Sequence, residues 1–404
     1  MRKRHLTRVL ITGFAAVAVF LAGTAWANHR PGNVVTVGVS VSETGRYAEP
    51  AGRFENSWNL FVEQRNAKGG WLGHKIELVL YDDKSDQQTA IKLYEKLITQ
   101  DKVDLVMGPY SSGITDAVAN INERYEYPMM APGAASLSIW QQGRKYLFNI
   151  VAVAKDYQKG ALHLAKEIGV KKVAIIGENT LFPLQAGEGA VEWAKKLGIE
   201  VVLNESYPPK HTDFTGLLQR INSKGAEAIL SNSYYADAVA QIRQMKELNL
   251  NFKMFGATVG PGLPRFAKEL GGTAEYVLGF SQWEPKPAAL KNPGMDEYIA
   301  AYEKRFGGEK PNYHSAGAYA AFEILEAAIK KAGSFDRKKV WQALRELKFS
   351  SMYGHFKVNE INMNQHEGVT FQILEGDRKV VWPKELAEVK AQLPMPRWED
   401  RAKR

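Results

Sequence analysis

The protein has 404 residues, 24% of them charged, a formal charge of +9 and no cysteine. The lack of cysteine excludes disulfides, thiolate catalysis, cysteine metal sites and a lipid anchor at Leu21-Ala22-Gly23, where Thr24 follows. The first 27 residues hold four basic groups and no acid, so the rest carries +5; its interspersed charges make a mildly basic solvated surface and argue against a nucleic-acid partner.

Those 27 residues come first in chain order. Arg2, Lys3, Arg4 and Arg8 precede an apolar run from Val9 to Gly23, and Ala25-Trp26-Ala27 follows with a small-x-small pattern. This is the layout of a secretory signal peptide, expected to be cleaved after Ala27 and to send the chain to the periplasm. An uncleaved anchor is the weaker reading, since the run is short of the roughly 20 residues that cross a bilayer. The expected mature chain is long enough for two domains.

From Val34 the chain alternates strand-like and helix-like segments. Val34–Val41 is a β-rich run, and Ala51–Ala67 has helical spacing in Phe54, Trp58, Phe61 and Val62, stopped by Gly69-Gly70. Lys75–Asp83 alternates as a strand, and Asp86 is placed to cap a helix over Gln87–Gln100. Val103–Gly108 reads as a buried strand, Gly113–Tyr125 as a helix and Tyr127–Ala131 as a strand.

The pattern then restarts. Asp156–Ile168, Ala186–Leu197, Phe214–Lys224 (with Asp213 as cap) and Ala236–Leu248 are predicted helices. Lys172–Gly177, Glu200–Tyr207, Ala226–Asn232 and Phe252–Ala257 are the strands between them. Such alternation implies parallel sheets covered on both faces, here two doubly wound α/β lobes. After Gly279 the chain is mostly helical (Met295–Phe306, Ser315–Lys331, Asp336–Leu347), with short strands near Phe356–Val358 and Thr370–Leu374. It has too few strands for a third domain and is expected to return to the first lobe. Residues 384–404, with Pro394 and Pro396, read as a loosely attached tail.

The motifs of common chemistries are missing. Ser42-Glu43-Thr44-Gly45 after the first strand does not fit a dinucleotide turn, and there is no Walker A sequence, no Gly-x-Ser-x-Gly and no His-Glu-x-x-His. No catalytic residue, metal site or cofactor is expected. Ligands of such sheets sit outside the carboxyl ends of the strands, so the loops there carry the reading.

Ser111 and Ser112 open a helix, where free backbone N–H groups and the positive dipole end suit an anion; the alternative is a plain N-cap, and the two are compatible. Gly133, Ala134 and Ala135, in Pro132–Ser136, either let a ligand approach the backbone or make a tight turn. Tyr47, Phe182 and Tyr234 each follow a strand end, and aromatics on opposing lobes would sandwich a ligand, although each alone fits loop packing equally well.

Together these residues resemble the periplasmic substrate-binding proteins of branched-chain amino acid and amide ABC transporters. The resemblance runs from Ser42-Glu43-Thr44-Gly45-Arg46-Tyr47 through Asn66-Ala67-Lys68-Gly69-Gly70 and Tyr81-Asp82-Asp83-Lys84-Ser85-Asp86. It continues through Gly108-Pro109, Ser111-Ser112 and Pro128 to Ser136, and covers about residues 34–375. It implies the type I periplasmic binding fold, two lobes joined by three crossings near Asn149–Val153, Leu278–Ser281 and Lys357–Ile361. The implied lobes are 34–150 with 280–356 and 151–279 with 357–383.

The resemblance also implies that Ser112 and the 133–135 loop hold a ligand carboxylate, and that Tyr47, Phe182 and Tyr234 line the pocket. Amino-acid-binding members usually have Thr at the position of Ala135 and an acid after the strand that ends here at Ala257. Here Thr258-Val259-Gly260-Pro261 has no acid, so Thr258 is the expected polar contact. A buried ammonium without a carboxylate costs several kcal/mol, which favours a carboxylate or amide ligand without one. Asp156 and Tyr157, after the first crossing, are further candidate contacts; Trp283 reads as packing.

The implied function is capture of a small solute in the interlobe cleft by hinge closure and delivery to a membrane permease, by a monomer. A periplasmic sensor of the same fold is the alternative. An exported hydrolase using Ser111 or Ser112 would need a histidine in a facing loop, and none lies in one.

Overall fold

A computed structural model describes residues 33–285 and 291–401; the proposed signal peptide lies outside the described residues. The first sheet holds β1 (Val34–Val41), β2 (Lys75–Asp82), β3 (Leu105–Met107), β4 (Met129–Ala131) and β5 (Leu147–Asn149), all parallel, in the order β2-β1-β3-β4-β5. Its crossover helices are α1 (Ala48–Asn66), α2 (Gln87–Thr99) and α3 (Ser112–Tyr125). All but the first residue of β1 is buried, as both faces of a central parallel strand must be. Asp86 caps α2 as expected, accepting the Thr89 N–H at 2.8 Å.

The second lobe repeats the pattern with α4 (Lys159–Glu167), β6 (Lys172–Glu178), α5 (Leu181–Leu197), β7 (Glu200–Tyr207), α6 (Thr215–Ser223), β8 (Ala228–Asn232), α7 (Tyr235–Glu247), β9 (Met254–Ala257), α8 (Pro264–Leu270) and β10 (Leu278–Ser281). Asp213 does not cap α6 as predicted; Phe214 holds the cap position and Asp213 accepts the Thr215 N–H. Next come α9 (Met295–Arg305), α10 (Tyr313–Ala332), α11 (Arg337–Glu346), β11 (Phe349–Ser351), β12 (Gly354–Phe356), β13 (Val369–Leu374) and β14 (Asp377–Trp382). The second sheet runs β14-β13-β10-β9-β8-β6-β7, with β13 antiparallel to β10 and β14 antiparallel to β13. Both sheets therefore change winding direction beside their first strand, at β1/β3 and at β6/β8, where the crevice of a doubly wound sheet opens.

The late helices return to the first lobe: α10 packs on α1, and Phe61 meets Tyr319 and Phe322 at 5.1 and 5.2 Å between ring centres. Three chain passages join the lobes and are hydrogen-bonded to one another. Asn149 N–H donates to Asn362 O, Ala152 N–H to Gln282 Oε1, and the His366 ring meets Gln282 O at 2.7 Å.

The tail is not loose as expected. Gln392 and Gln372 bond reciprocally, Met395 N–H reaches Lys253 O, and Trp398 donates its indole N–H to Leu250 O. Met395 is buried and Arg401 stacks over Trp398. Its prolines and charges hid a few apolar anchors that fit the second lobe.

Candidate functional site

The loops at the carboxyl ends of both sheets meet around a narrow, partly open cavity of about 20 Å³. The first lobe contributes Tyr110, Ser111 and Ser112 after β3, and Gly133 and Ala135 after β4. The second contributes Phe182, Tyr234 and Val259, and the passages contribute Val151, Tyr157 and Gln282. Tyr313 and His314, at the start of α10, complete the wall.

Local chemistry fixes these loops. A bridge between Tyr110 and Gly133 extends the β3–β4 pairing into them. A Cβ on Gly133 would lie 2.9 Å from Pro109 O and 3.1 Å from Tyr110 Cα, so only glycine permits this approach. Ser112 Oγ accepts the Ala135 and Ser136 N–H groups at 3.0 and 3.3 Å and ties α3 to the loop after β4. Ser111 stands at the N-cap of α3 but makes no capping bond; its Oγ is buried near the Tyr47 hydroxyl and makes no hydrogen bond of normal geometry. The first amides of α3 have no acceptors within the helix, so this corner presents donors and a positive dipole end.

Aromatic rings meet across the cleft. Tyr47 of the first lobe lies edge-on to Tyr234 of the second at 4.9 Å and to Tyr110 at 5.5 Å. Phe182 sits between Tyr157, at 5.0 Å, and Tyr234, at 5.9 Å. Behind this layer, Arg46 pairs with Glu178, which is 2% exposed and also accepts the Thr180 hydroxyl at 2.6 Å. Arg46 also bonds the Tyr47 hydroxyl. Asp237 accepts from Tyr234 N–H and the Tyr207 hydroxyl, and burial, reinforced by Glu178, pushes its pKa up to about 7. Burial, with Arg53 and Arg378 adding to it, pushes His314 down to about 3, so its ring is neutral.

Of the residues expected from sequence, Ser111, Ser112, Gly133, Ala135, Phe182 and Tyr234 border one cavity, and Tyr47 stands directly behind Tyr234 and Tyr110. Tyr47 thus does not border the cavity itself, and three further expected contacts are not brought to it. Ala134 is turned into the protein, its carbonyl taking the Asn149 side-chain N–H at 3.4 Å. Asp156 accepts the Trp193 indole N–H at 3.0 Å and borders a different cavity. Thr258 Oγ1 is spent on the Ser233 backbone, accepting its N–H and donating to its carbonyl. Tyr157, rather than Asp156, faces the cleft. Tyr110 was legible beside Ser111; Tyr313, His314 and Gln282 arrive from distant segments and carry no local signal.

The geometry is that of a closing cleft between two doubly wound lobes, and comparison places it. A family profile described as "Periplasmic binding protein" matches residues 34–377. The chain belongs to the periplasmic binding protein family. It is 28% identical over 398 residues to Leu/Ile/Val-binding protein homolog 7 of Brucella suis biovar 1, covering 94% of this chain and 98% of the relative. The leucine binding protein LivK of Thermotoga maritima superposes with a TM-score of 0.79 at 24% identity, over 86% of this chain and 97% of that one. A solute-binding protein of an R. palustris ABC transporter, in complex with benzoate, superposes with a TM-score of 0.78 at 19% identity, over 89% and 98%. This periplasmic binding protein has the type I fold, and the relatives named are binding proteins rather than enzymes. Among the described residues no cluster of acids and histidines could hold a metal, and no helix is long and apolar enough to cross a membrane.

Proposed function

We propose that this protein captures a small carboxylate, or an amide without an ammonium group, in the interlobe cleft and delivers it to an ABC-type membrane permease. The observation that carries the reading is the corner at α3. There the buried, unpartnered Ser111 hydroxyl and the first helix amides converge beside Ser112, Gly133 and Ala135. An anion supplies what those donors lack.

The second-lobe side supports an acid over an amino acid. The family resemblance implies an acid at the position of Thr258, and the hydroxyl found there instead is already bonded to Ser233. Glu178 is neutralised by Arg46 and lies behind the aromatic layer. The named relatives include both a leucine-binding and a benzoate-bound protein, so their ligands leave both classes open. In this reading the protein works as a periplasmic monomer after cleavage at Ala27. The lobes are 34–150 with 280–356 and 151–279 with 357–383, and the passages between them act as the hinge.

A thermal-shift screen of ligand-stripped protein tests the reading. Aliphatic and aromatic carboxylates should stabilise it, by about 2.7 kcal/mol at a hundred times Kd, and leucine should not. Stabilisation by leucine alone would overturn it. Loss of uptake on deleting a neighbouring permease gene tests the transport role.

A further inference from the structure

Two side-chain atoms on the cavity wall are buried without a hydrogen-bond partner: Ser111 Oγ and His314 Nδ1. Both residues are almost fully buried, 2% and 3% exposed. Among the described residues nine other buried side-chain atoms also lack a partner, but none of their residues lines this cavity, so it is the convergence of these two on one cavity that points to a ligand. Ser111 belongs to the anion corner; His314 stands apart from it, at the start of α10.

His314 is held firmly. Its ring stacks on Tyr313 at 3.9 Å and lies 5.7 Å from Tyr110 and 6.3 Å from Phe54. Asn312, two residues earlier, caps α10 by accepting the Ser315 N–H, which anchors this end of the helix. Tyr110, whose ring lies beside that of His314, precedes Ser111 in the chain, and both unpartnered residues belong to the first lobe with α10 packed on α1.

We infer that His314 is a specificity residue and that the cleft takes a small acid carrying a second, neutral polar group, a hydroxyl, bonded to the His314 ring while its carboxylate meets Ser111 and α3. The inference rests on the carboxylate reading of the cleft. A neutral imidazole offers one donor and one acceptor, and a hydroxyl satisfies whichever is unpaired. A second carboxylate would be a buried charge facing a neutral ring, which is costly. Both polar ends would then engage the first lobe, and Phe182 and Tyr234 would cover the ligand when the second lobe closes.

The test measures Kd by calorimetry for benzoate, 3-hydroxybenzoate, 4-hydroxybenzoate, hexanoate and 6-hydroxyhexanoate with wild type, His314→Phe and His314→Gln. In wild type at least one hydroxy acid should bind about tenfold tighter than its parent. His314→Phe should erase that ratio, with an unchanged melting temperature certifying the fold; His314→Gln, with a donor and an acceptor, should keep part of it. Parent acids that bind with no gain from any hydroxyl, or a ratio unchanged in His314→Phe, would overturn this inference alone. Failure of every acid to bind would overturn the carboxylate reading and this inference with it.

Discussion

Arg46, in the loop after β1, forms its ion pair with Glu178 at the carboxyl end of β6, so the bond spans the cleft from one lobe to the other. Arg46 is 22% exposed and Glu178 only 2%. Opening must break the pair and return both groups to water.

Unequal burial predicts unequal mutants. Arg46→Met leaves a carboxylate to be buried unpaired whenever the lobes meet, whereas Glu178→Gln leaves a partly exposed cation that water can serve. Arg46→Met should weaken ligand binding roughly ten- to a hundredfold, mainly through faster release. Glu178→Gln should cost less, and the double variant should recover part of the loss. Calorimetry and stopped-flow release check this; simple additivity would rule out the pair as an interlobe contact.

Asp237 sets a pH dependence of stability. Its folded pKa of about 7 lies above the ordinary carboxylate range, so between about pH 4 and 7 the folded state keeps a proton that the unfolded chain has lost. Its contribution therefore falls as pH rises through that window and levels off above it, a penalty of up to about 4 kcal/mol. Asp237→Asn should raise the melting temperature at pH 8 and change it little at pH 5. His314 acts in the opposite sense, its neutral burial costing stability as pH drops below about 6.5. Equal effects of Asp237→Asn at both pH values would refute the assignment.

The two adjacent serines should separate stability from binding. Ser112→Ala strands the Ala135 and Ser136 amides and should cost about 1–3 kcal/mol of stability. Ser111→Ala removes a hydroxyl that makes no hydrogen bond of normal geometry, so melting should stay within about 0.5 kcal/mol while affinity for acids falls about tenfold. Thermal melts and calorimetry on both variants decide it.

A chain ending at Pro383 loses the Gln392–Gln372 bonds, the buried Met395 and the Trp398 anchor on Leu250. Burial of each large apolar side chain contributes about 1.5–3 kcal/mol. The truncated protein should melt several degrees lower, and unchanged melting would show the segment to be a passive appendage.

Much of the fold was legible along the chain. Both the buried central strand Val34–Val41 and the half-exposed edge strand Glu200–Tyr207 read as β-rich runs and match β1 and β7 end for end. Elements that escaped were short or locally polar: three-residue β5, seven-residue α8, and β14 with its Asp-Arg-Lys start. The site was legible where a loop directly follows a strand, as with Ser111, Ser112, Gly133, Phe182 and Tyr234. It was not where contact depends on the returning chain. Tyr313 and His314 lie some 200 residues from Ser111 in sequence yet share its cavity.

By itself the sequence determined the alternating α/β lobes, the strand-end loops and the want of catalytic motifs, because these follow from periodicity, turn chemistry and residue type within a few neighbours. Tertiary structure alone decided that Asp156 and Thr258 are spent on Trp193 and Ser233, that Glu178 meets Arg46, and that His314 is left unpartnered in the cleft wall. The reason is physical: a polar side chain's role is set by which group reaches it once water is excluded, and the groups that reach these come from far along the chain.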